Sequence, residues 1–177
     1  MLRALAVLGL AALTPWLVGG SVDPGVLLEL ERESFTLRAV DLAQDVPGPT
    51  LRVVLGSPAH PTPSGEFPLH VVVRNPGWSP GRFARSLGAR SVRPSRRGPM
   101  GAAKIPFAEQ GEIAVHGGAQ PLLLGKPVSL GCVRTVDAEL LGLVEWLEAR
   151  GALSDPRRHA DGEVHQAFRR PARVIVR

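Results

Sequence analysis

The chain has 177 residues, 44% of them apolar, with 21 Lys plus Arg against 16 Asp plus Glu. That length suits one domain with a full hydrophobic core rather than two, and the apolar share excludes an extended disordered chain. The basic excess favours an anionic partner without choosing among nucleic acid, acidic lipid and acidic wall polymer, and a single cysteine excludes an intramolecular disulfide.

From the N-terminus, Met1-Leu2-Arg3 gives a short positive start, Ala4 to Val18 is apolar, and Gly19-Gly20-Ser21 supplies small residues. Residues 1–20 therefore read as an export signal or short membrane anchor, since the run falls short of the roughly 20 residues of a spanning helix. Residues 21–33 read as a linker with a turn at Asp23-Pro24-Gly25, which leaves 34–177 as the folded domain. Phe35 to Val40 alternates with period two and predicts a strand. Val46-Pro47-Gly48-Pro49 predicts a turn, Leu51 to Leu55 a strand, Ser57 to Gly65 a shaped loop with three prolines, and Phe67 to Val73 a strand. Asn75 to Met100 reads as a long loop, Glu112 to His116 as a short strand, and Ala119 to Gly131 as another loop. Asp137 to Arg150 is the one convincing helix, with Leu140, Leu141, Val144 and Leu147 on its apolar face, Thr135 or Asp137 as its cap and Gly151 as its stop. A charged stretch, 152–170, reads as a surface insertion before a last strand, Ala172 to Val176. Many strands and one principal helix predict a mainly β fold, β-rich α+β, with the helix covering part of the sheet.

Chemistry concentrates in Ile113-Ala114-Val115-His116-Gly117-Gly118 and in Ser129-Leu130-Gly131-Cys132-Val133-Arg134. A cysteine attacks as its thiolate and so needs a lowered pKa or a nearby base. Cys132 lies just before the predicted helix, whose dipole would favour an anion, and Arg134 adds a fixed positive charge. N–H groups around Gly131 and Cys132 can stabilise an oxyanion. His116, at a strand end, is the candidate base, and the Gly117 carbonyl can orient it. The bland alternative is a packed core cysteine and a histidine with a local structural partner.

These residues resemble the signature of the L,D-transpeptidase catalytic domain, the YkuD domain. That signature is His-Gly, a loop of about a dozen residues, then Ser-x-Gly-Cys-x-Arg or -Asn, matched here by His116-Gly117 and Ser129 to Arg134. Thr62-Pro63-Ser64-Gly65-Glu66-Phe67, Asn75-Pro76-Gly77-Trp78 and Gly98-Pro99-Met100-Gly101 resemble further family segments in the same order. The resemblance implies a β-sandwich with its principal helix after the catalytic Cys132. It also implies His116 and Gly117 as catalytic partners, and Ser129, Leu130, Gly131 and Arg134 around the oxyanion and substrate. Leu130 departs from the family, which often has histidine there. The implied activity is attack of Cys132 on the bond between an L-centre diamino acid and D-Ala in a peptidoglycan tetrapeptide stem, with transfer of the acyl group to an amine. The alternatives are an L,D-carboxypeptidase with water as acceptor and a non-catalytic wall-binding module. A monomer in the periplasm or cell envelope is expected, with peptidoglycan stems as partner, peripheral or anchored membrane contact, and neither metal nor other cofactor.

Two rivals use the late histidines. A papain-like enzyme would pair Cys132 with His159 or His165, and a zinc site would join His116, Cys132, His159 and His165, although only His159 and His165 lie close in sequence. Arg82, Arg85, Arg90, Arg93, Arg96 and Arg97 form a basic run without acidic residues, read either as an electrostatic collar for carboxylate-bearing stems or as a solvated loop. Only Phe83 interleaves them, so no nucleic-acid partner is expected.

Overall fold

The computed structural model describes residues 25–177, so the expected export segment, residues 1–20, lies outside the described residues. The chain starts with β1 (Val26–Glu31), β2 (Thr36–Asp41), β3 (Val46–Arg52) and the short β4 (Leu55–Gly56). It continues through β5 (Gly65–Pro68), β6 (Val71–Arg74), the one-turn helix α1 (Arg82–Ser86), β7 (Ala103–Ala108) and β8 (Ile113–His116). Next come β9 (Pro127–Ser129), β10 (Val133–Arg134) and the principal helix α2 (Asp137–Ala149). The last strands are β11 (Arg157–Arg158), β12 (Val164–Ala167) and β13 (Ala172–Val176).

Two sheets result, in the orders β3-β2-β1-β13-β5 and β10-β8-β7-β6-β12-β11, with β4 and β9 paired separately. Leu28, Leu37, Leu51 and Val174 of the first sheet share one core with Val72, Ile105, Val115 and Val133 of the second. Leu140, Leu143, Val144 and Leu147 of α2 complete it, so Leu143 takes the place on the apolar face expected for Leu141. The fold is mainly β, as expected.

Four segments differ from the sequence reading. Residues 26–31, expected within a linker, form a strand between β2 and β13. A strand paired on both edges and buried on both faces can carry a nearly continuous apolar run, here Val26-Leu27-Leu28, instead of clean alternation. The expected turn at Val46–Pro49 is the start of β3. Its prolines lack N–H donors, but β3 is an edge strand with no ladder partner on its outer side. The expected strand Phe67–Val73 is two strands in two sheets, with Leu69 bonding to Ala172 O at the switch. Finally, 152–170 is part of the second sheet and not a solvated insertion. β12 pairs with β6, and the buried Gln166 side chain donates to Glu148 (2.9 Å) and accepts from Arg74 (3.1 Å).

Arg170 ties these parts together. It donates to both carboxylate oxygens of the buried Asp41 at the end of β2, at 3.0 and 2.9 Å. The guanidinium holds the Asp41 carboxyl below its ordinary range, against the opposing effect of burial. A depressed carboxylate pKa contributes stability that is present above about pH 4 and is lost as pH falls through the folded-state value. Asp41→Asn should therefore cost about 2 kcal/mol at pH 7, between the limits for exposed and buried pairs. The gap to the parent should narrow toward pH 3. Urea unfolding at both pH values checks this, and a gap that stays constant would remove the ion pair as the cause.

Candidate active site

β8 and β10 run parallel, with Val115 beside Val133 and His116 beside Arg134. Val115 and Val133 point into the core. Alternation then turns Ala114, His116 and Arg134 to the opposite face, and one further residue back along the chain places Cys132 on that face too. Cys132 and His116 are thus diagonal neighbours on adjacent segments.

His116 is only 2% exposed, and its Nδ1 lies 2.8 Å from the Gly117 carbonyl oxygen. A carbonyl only accepts, so Nδ1 carries the ring proton and Nε2 keeps its lone pair. Burial pushes the His116 pKa down to about 4, opposed by the Gly117 carbonyl and reinforced by the charges of Arg134 and Lys104. The Cys132 thiol is half-buried, with Sγ 3.6 Å from the Glu112 carbonyl. Burial pushes it up, while the Ala114 backbone and Arg134 pull down less strongly. The resting pair is therefore a neutral imidazole and a neutral thiol, not the favoured thiolate expected from sequence. The helix supplies no remedy, because α2 begins only at Asp137, beyond β10.

The loop before Cys132 is built on Ser129. Its buried hydroxyl accepts from Gly131 N–H (3.2 Å) and donates to the Cys132 carbonyl (2.6 Å). Gly131 N–H is thereby occupied, which corrects its expected availability to an oxyanion. Cys132 N–H has no protein acceptor among the described residues. Gly131 has φ +108°, and a Cβ there would lie 2.8 Å from the Ile113 side chain, so only glycine fits this turn. The Leu130 side chain is half exposed. The Arg134 Nε is buried without a hydrogen-bond partner among the described residues, an unspent donor on the His116 face.

Asp137, expected as a helix cap, has a different task. Its Oδ1 accepts from Ala102 N–H (2.8 Å) and Gly118 N–H (2.9 Å), and α2 starts with no side-chain cap. A Cβ on Gly101 or Gly117 would collide with that oxygen, so the two glycines let the 98–101 and 116–118 turns close on one carboxylate. Sequence reasoning missed this residue because nothing local distinguishes it from a cap.

Residues 79–91 form a lobe closed by mutual main-chain bonds between Trp78 and Val92, at 2.9 and 2.8 Å. Phe83 of α1 stacks on His60, with ring centroids 4.4 Å apart, and Gly81 lies against Glu112. The lobe thus rests on the two loops that border Cys132. A separate cavity of about 540 Å³, lined by Phe35, Leu55, Thr62 and Pro127 among others, includes neither Cys132 nor His116.

His159 and His165 stack on each other at 4.1 Å, and His165 Nε2 bonds Glu163 at 2.7 Å. β12, which carries His165, is separated from β10 by β6, β7 and β8. They are not brought to Cys132, so neither the papain-like pairing nor the four-ligand zinc site forms.

The L,D-transpeptidase catalytic domain (YkuD) matches residues 34–168. The chain belongs to the L,D-transpeptidase catalytic-domain family. That match includes 152–168, so the segment containing β11 and β12 lies inside the family domain, while β1 precedes it. Among solved structures, an L,D-transpeptidase from Mycobacterium tuberculosis H37Rv is similar at 19% identity and TM-score 0.55, covering 87% of this chain and 58% of its own. L,D-transpeptidase 3 from the same species, in complex with a faropenem-derived adduct, is similar at 16% identity and TM-score 0.55, with 86% and 60% covered. An L,D-transpeptidase from Stackebrandtia nassauensis reaches 14% identity and TM-score 0.51, with 86% and 55% covered. At these identities the likeness is one of fold, and the chain spans about three fifths of the length of the solved chains it matches. No curated protein matches the chain in sequence. Among the described residues, no helix is long and apolar enough to cross a membrane.

The neutral resting pair has a direct kinetic consequence. Iodoacetamide should alkylate Cys132 more slowly at pH 7 than it alkylates a free cysteine, with the rate still rising beyond the ordinary thiol range of about 8.5. A rate plateau already reached below pH 7 would instead show a preformed thiolate–imidazolium pair.

Proposed function

We propose that this family member is a peptidoglycan L,D-transpeptidase with Cys132 as nucleophile and His116 as general base. The observation that carries the reading is His116 itself: buried, neutral, locked through Nδ1 on Gly117, and aligned with Cys132 on one sheet face. As Sγ bonds to the carbonyl carbon of the diamino acid, His116 Nε2 takes the thiol proton. The tetrahedral oxyanion is received by Cys132 N–H. The proton then passes from His116 to the leaving nitrogen, and D-Ala departs from the acyl-enzyme. An incoming amine gives its proton to His116, forms the new amide and frees Sγ.

Gly117 keeps the tautomer, while Ser129 and Gly131 shape the turn that presents the donor. Leu130 offers an apolar surface beside the site, and Arg134 offers its unspent donors to a substrate carboxylate. The acyl-enzyme reading also draws on the faropenem-derived adduct of the similar L,D-transpeptidase 3. The chain works as a monomer on peptidoglycan stems in the cell envelope, delivered there by residues 1–20 as a cleaved signal or retained anchor.

The test is D-Ala release from a disaccharide-tetrapeptide with and without an amine acceptor. Cys132→Ala should abolish it. His116→Ala should lower both acylation and turnover, by roughly a hundred- to ten-thousand-fold, while His159→Ala and His165→Ala should leave both nearly unchanged. Faropenem or a carbapenem should add its mass, or that of a fragment, to the parent protein but not to Cys132→Ala. An active His116→Ala enzyme would overturn the mechanism. With an amine present, cross-linked product means transpeptidation, whereas plain tripeptide alone means carboxypeptidation.

Delivery has its own check. N-terminal sequencing of protein from the envelope fraction should find a start near Gly20 or Ser21, or Met1 on a membrane-bound chain. Met1 on a soluble cytoplasmic protein would remove the access to peptidoglycan that the reading needs.

A further inference from the structure

The segment from Asn75 to Gly101 leaves β6 and reaches Glu112 at the far end of β8 through Gly81. It returns beside Gly77, where Pro94, Val92 and the Glu163 carboxylate close in together on the one face of that glycine. Arg82, Arg85, Arg90, Arg93, Arg96 and Arg97 are all exposed along this path. Arg157 and Arg158 on the edge strand β11 extend it beyond β12.

None of these arginines has a carboxylate partner among the described residues. By contrast, Arg38, Arg74, Arg169, Arg170, Arg173 and Arg177 each have one. The neighbouring acids are engaged elsewhere. Glu163 accepts from Gly77 N–H and His165 and faces Lys104, and Asp155 pairs with Arg169. Glu109 and Glu112 stay at the nucleophile end. The cationic strip therefore runs from the edge of the site, at β8, out to β11. That is four strand spacings, roughly 19 Å, and more than a single reacting stem would occupy.

We infer that this strip is a docking surface for a linear carboxylate-bearing polymer, the glycan strand whose further stems lie beyond the one reacting at Cys132. The inference rests on the peptidoglycan reading for the identity of that polymer. Repeated unpaired guanidiniums suit repeated carboxylates, and binding through them is ionic, long-ranged and weakened by salt.

The test uses the full chain carrying Cys132→Ala, so that nothing is turned over, in co-sedimentation with purified sacculi. A second protein adds Arg90→Gln, Arg93→Gln, Arg96→Gln and Arg97→Gln, with thermal melting to confirm that it is folded. The parent should bind untreated sacculi about tenfold more tightly than the arginine variant does. It should lose a similar factor on sacculi whose carboxylates have been amidated with carbodiimide and ammonia, and again on raising salt from 50 to 300 mM. Equal binding by the two folded proteins, or equal binding to amidated sacculi, would overturn the inference. Vesicles of phosphatidylglycerol give the other arm: an arginine-dependent affinity for them above that for sacculi would assign the strip to a lipid surface and also overturn it. D-Ala release by the parent enzyme with Cys132 intact is measured separately, so a failure of the proposed reaction is distinguishable from a failure of docking.

Discussion

The site depends on a parallel ladder of two residue pairs, β8 against β10. Parallel neighbours need a crossover between them, most often a helix. Here residues 117–132 make that crossover without an α-helix, so the ladder needs outside bracing. Val54 supplies it from the other edge of β10, exchanging main-chain bonds with Arg134 at 2.7 and 2.9 Å. Thr135 N–H extends the pairing to His116 O at 3.0 Å, and β9 rests on β4. Asp137 then fastens the 98–101 turn, through Ala102 N–H, to the 116–118 turn, through Gly118 N–H. Each of these bonds has a main-chain group on at least one side, so Cys132 and His116 hold their places through backbone geometry rather than through a contact with each other.

Burial gives this arrangement its electrostatic character. Moving His116 from its ordinary 6.5 to about 4 corresponds to about 3 kcal/mol against the charged imidazole. The same desolvation opposes a thiolate at Cys132. In the proposed mechanism, charge separation is therefore deferred until a substrate carbonyl can accept the sulfur electrons, and the Gly117 carbonyl is already placed to receive the imidazolium dipole. Arg134 sits between the two demands: it favours the thiolate and disfavours the imidazolium. An anionic substrate group neutralising Arg134 would ease protonation of His116.

Much of the candidate site's local geometry was legible in the sequence because its features are local. His116-Gly117 holds its orienting carbonyl one residue away, and Ser129-x-Gly131-Cys132 closes its own turn. The helix and its stop were also legible, since 3.6-residue periodicity needs no knowledge of partners. What escaped was decided at a distance. Val26–Glu31 is a strand only because β2 and β13 flank it, and Pro47 and Pro49 are tolerated only because β3 ends up at an edge. Gln166 became a buried polar group, bonded to the exposed Glu148, only once β12 reached β6. Asp137 sits 35 residues from one of the amides it binds. The protonation states were misread for the same reason: positive neighbours are visible in sequence, whereas desolvation is visible only after packing.

The pair of main-chain bonds between Trp78 and Val92 has an evolutionary consequence. It pinches residues 79–91 at a neck made only of peptide groups, which any side chains can supply. The lobe above that neck adds no side chain to the hydrophobic core cluster, its one buried residue, Pro80, lies next to the neck, and α1 itself buries none. Its length and composition can therefore drift with little penalty to folding, while its contacts at His60 and Glu112 keep whatever it carries beside Cys132. Substitution there offers a route by which the surface beside Cys132 changes in shape and charge without rebuilding the sandwich underneath.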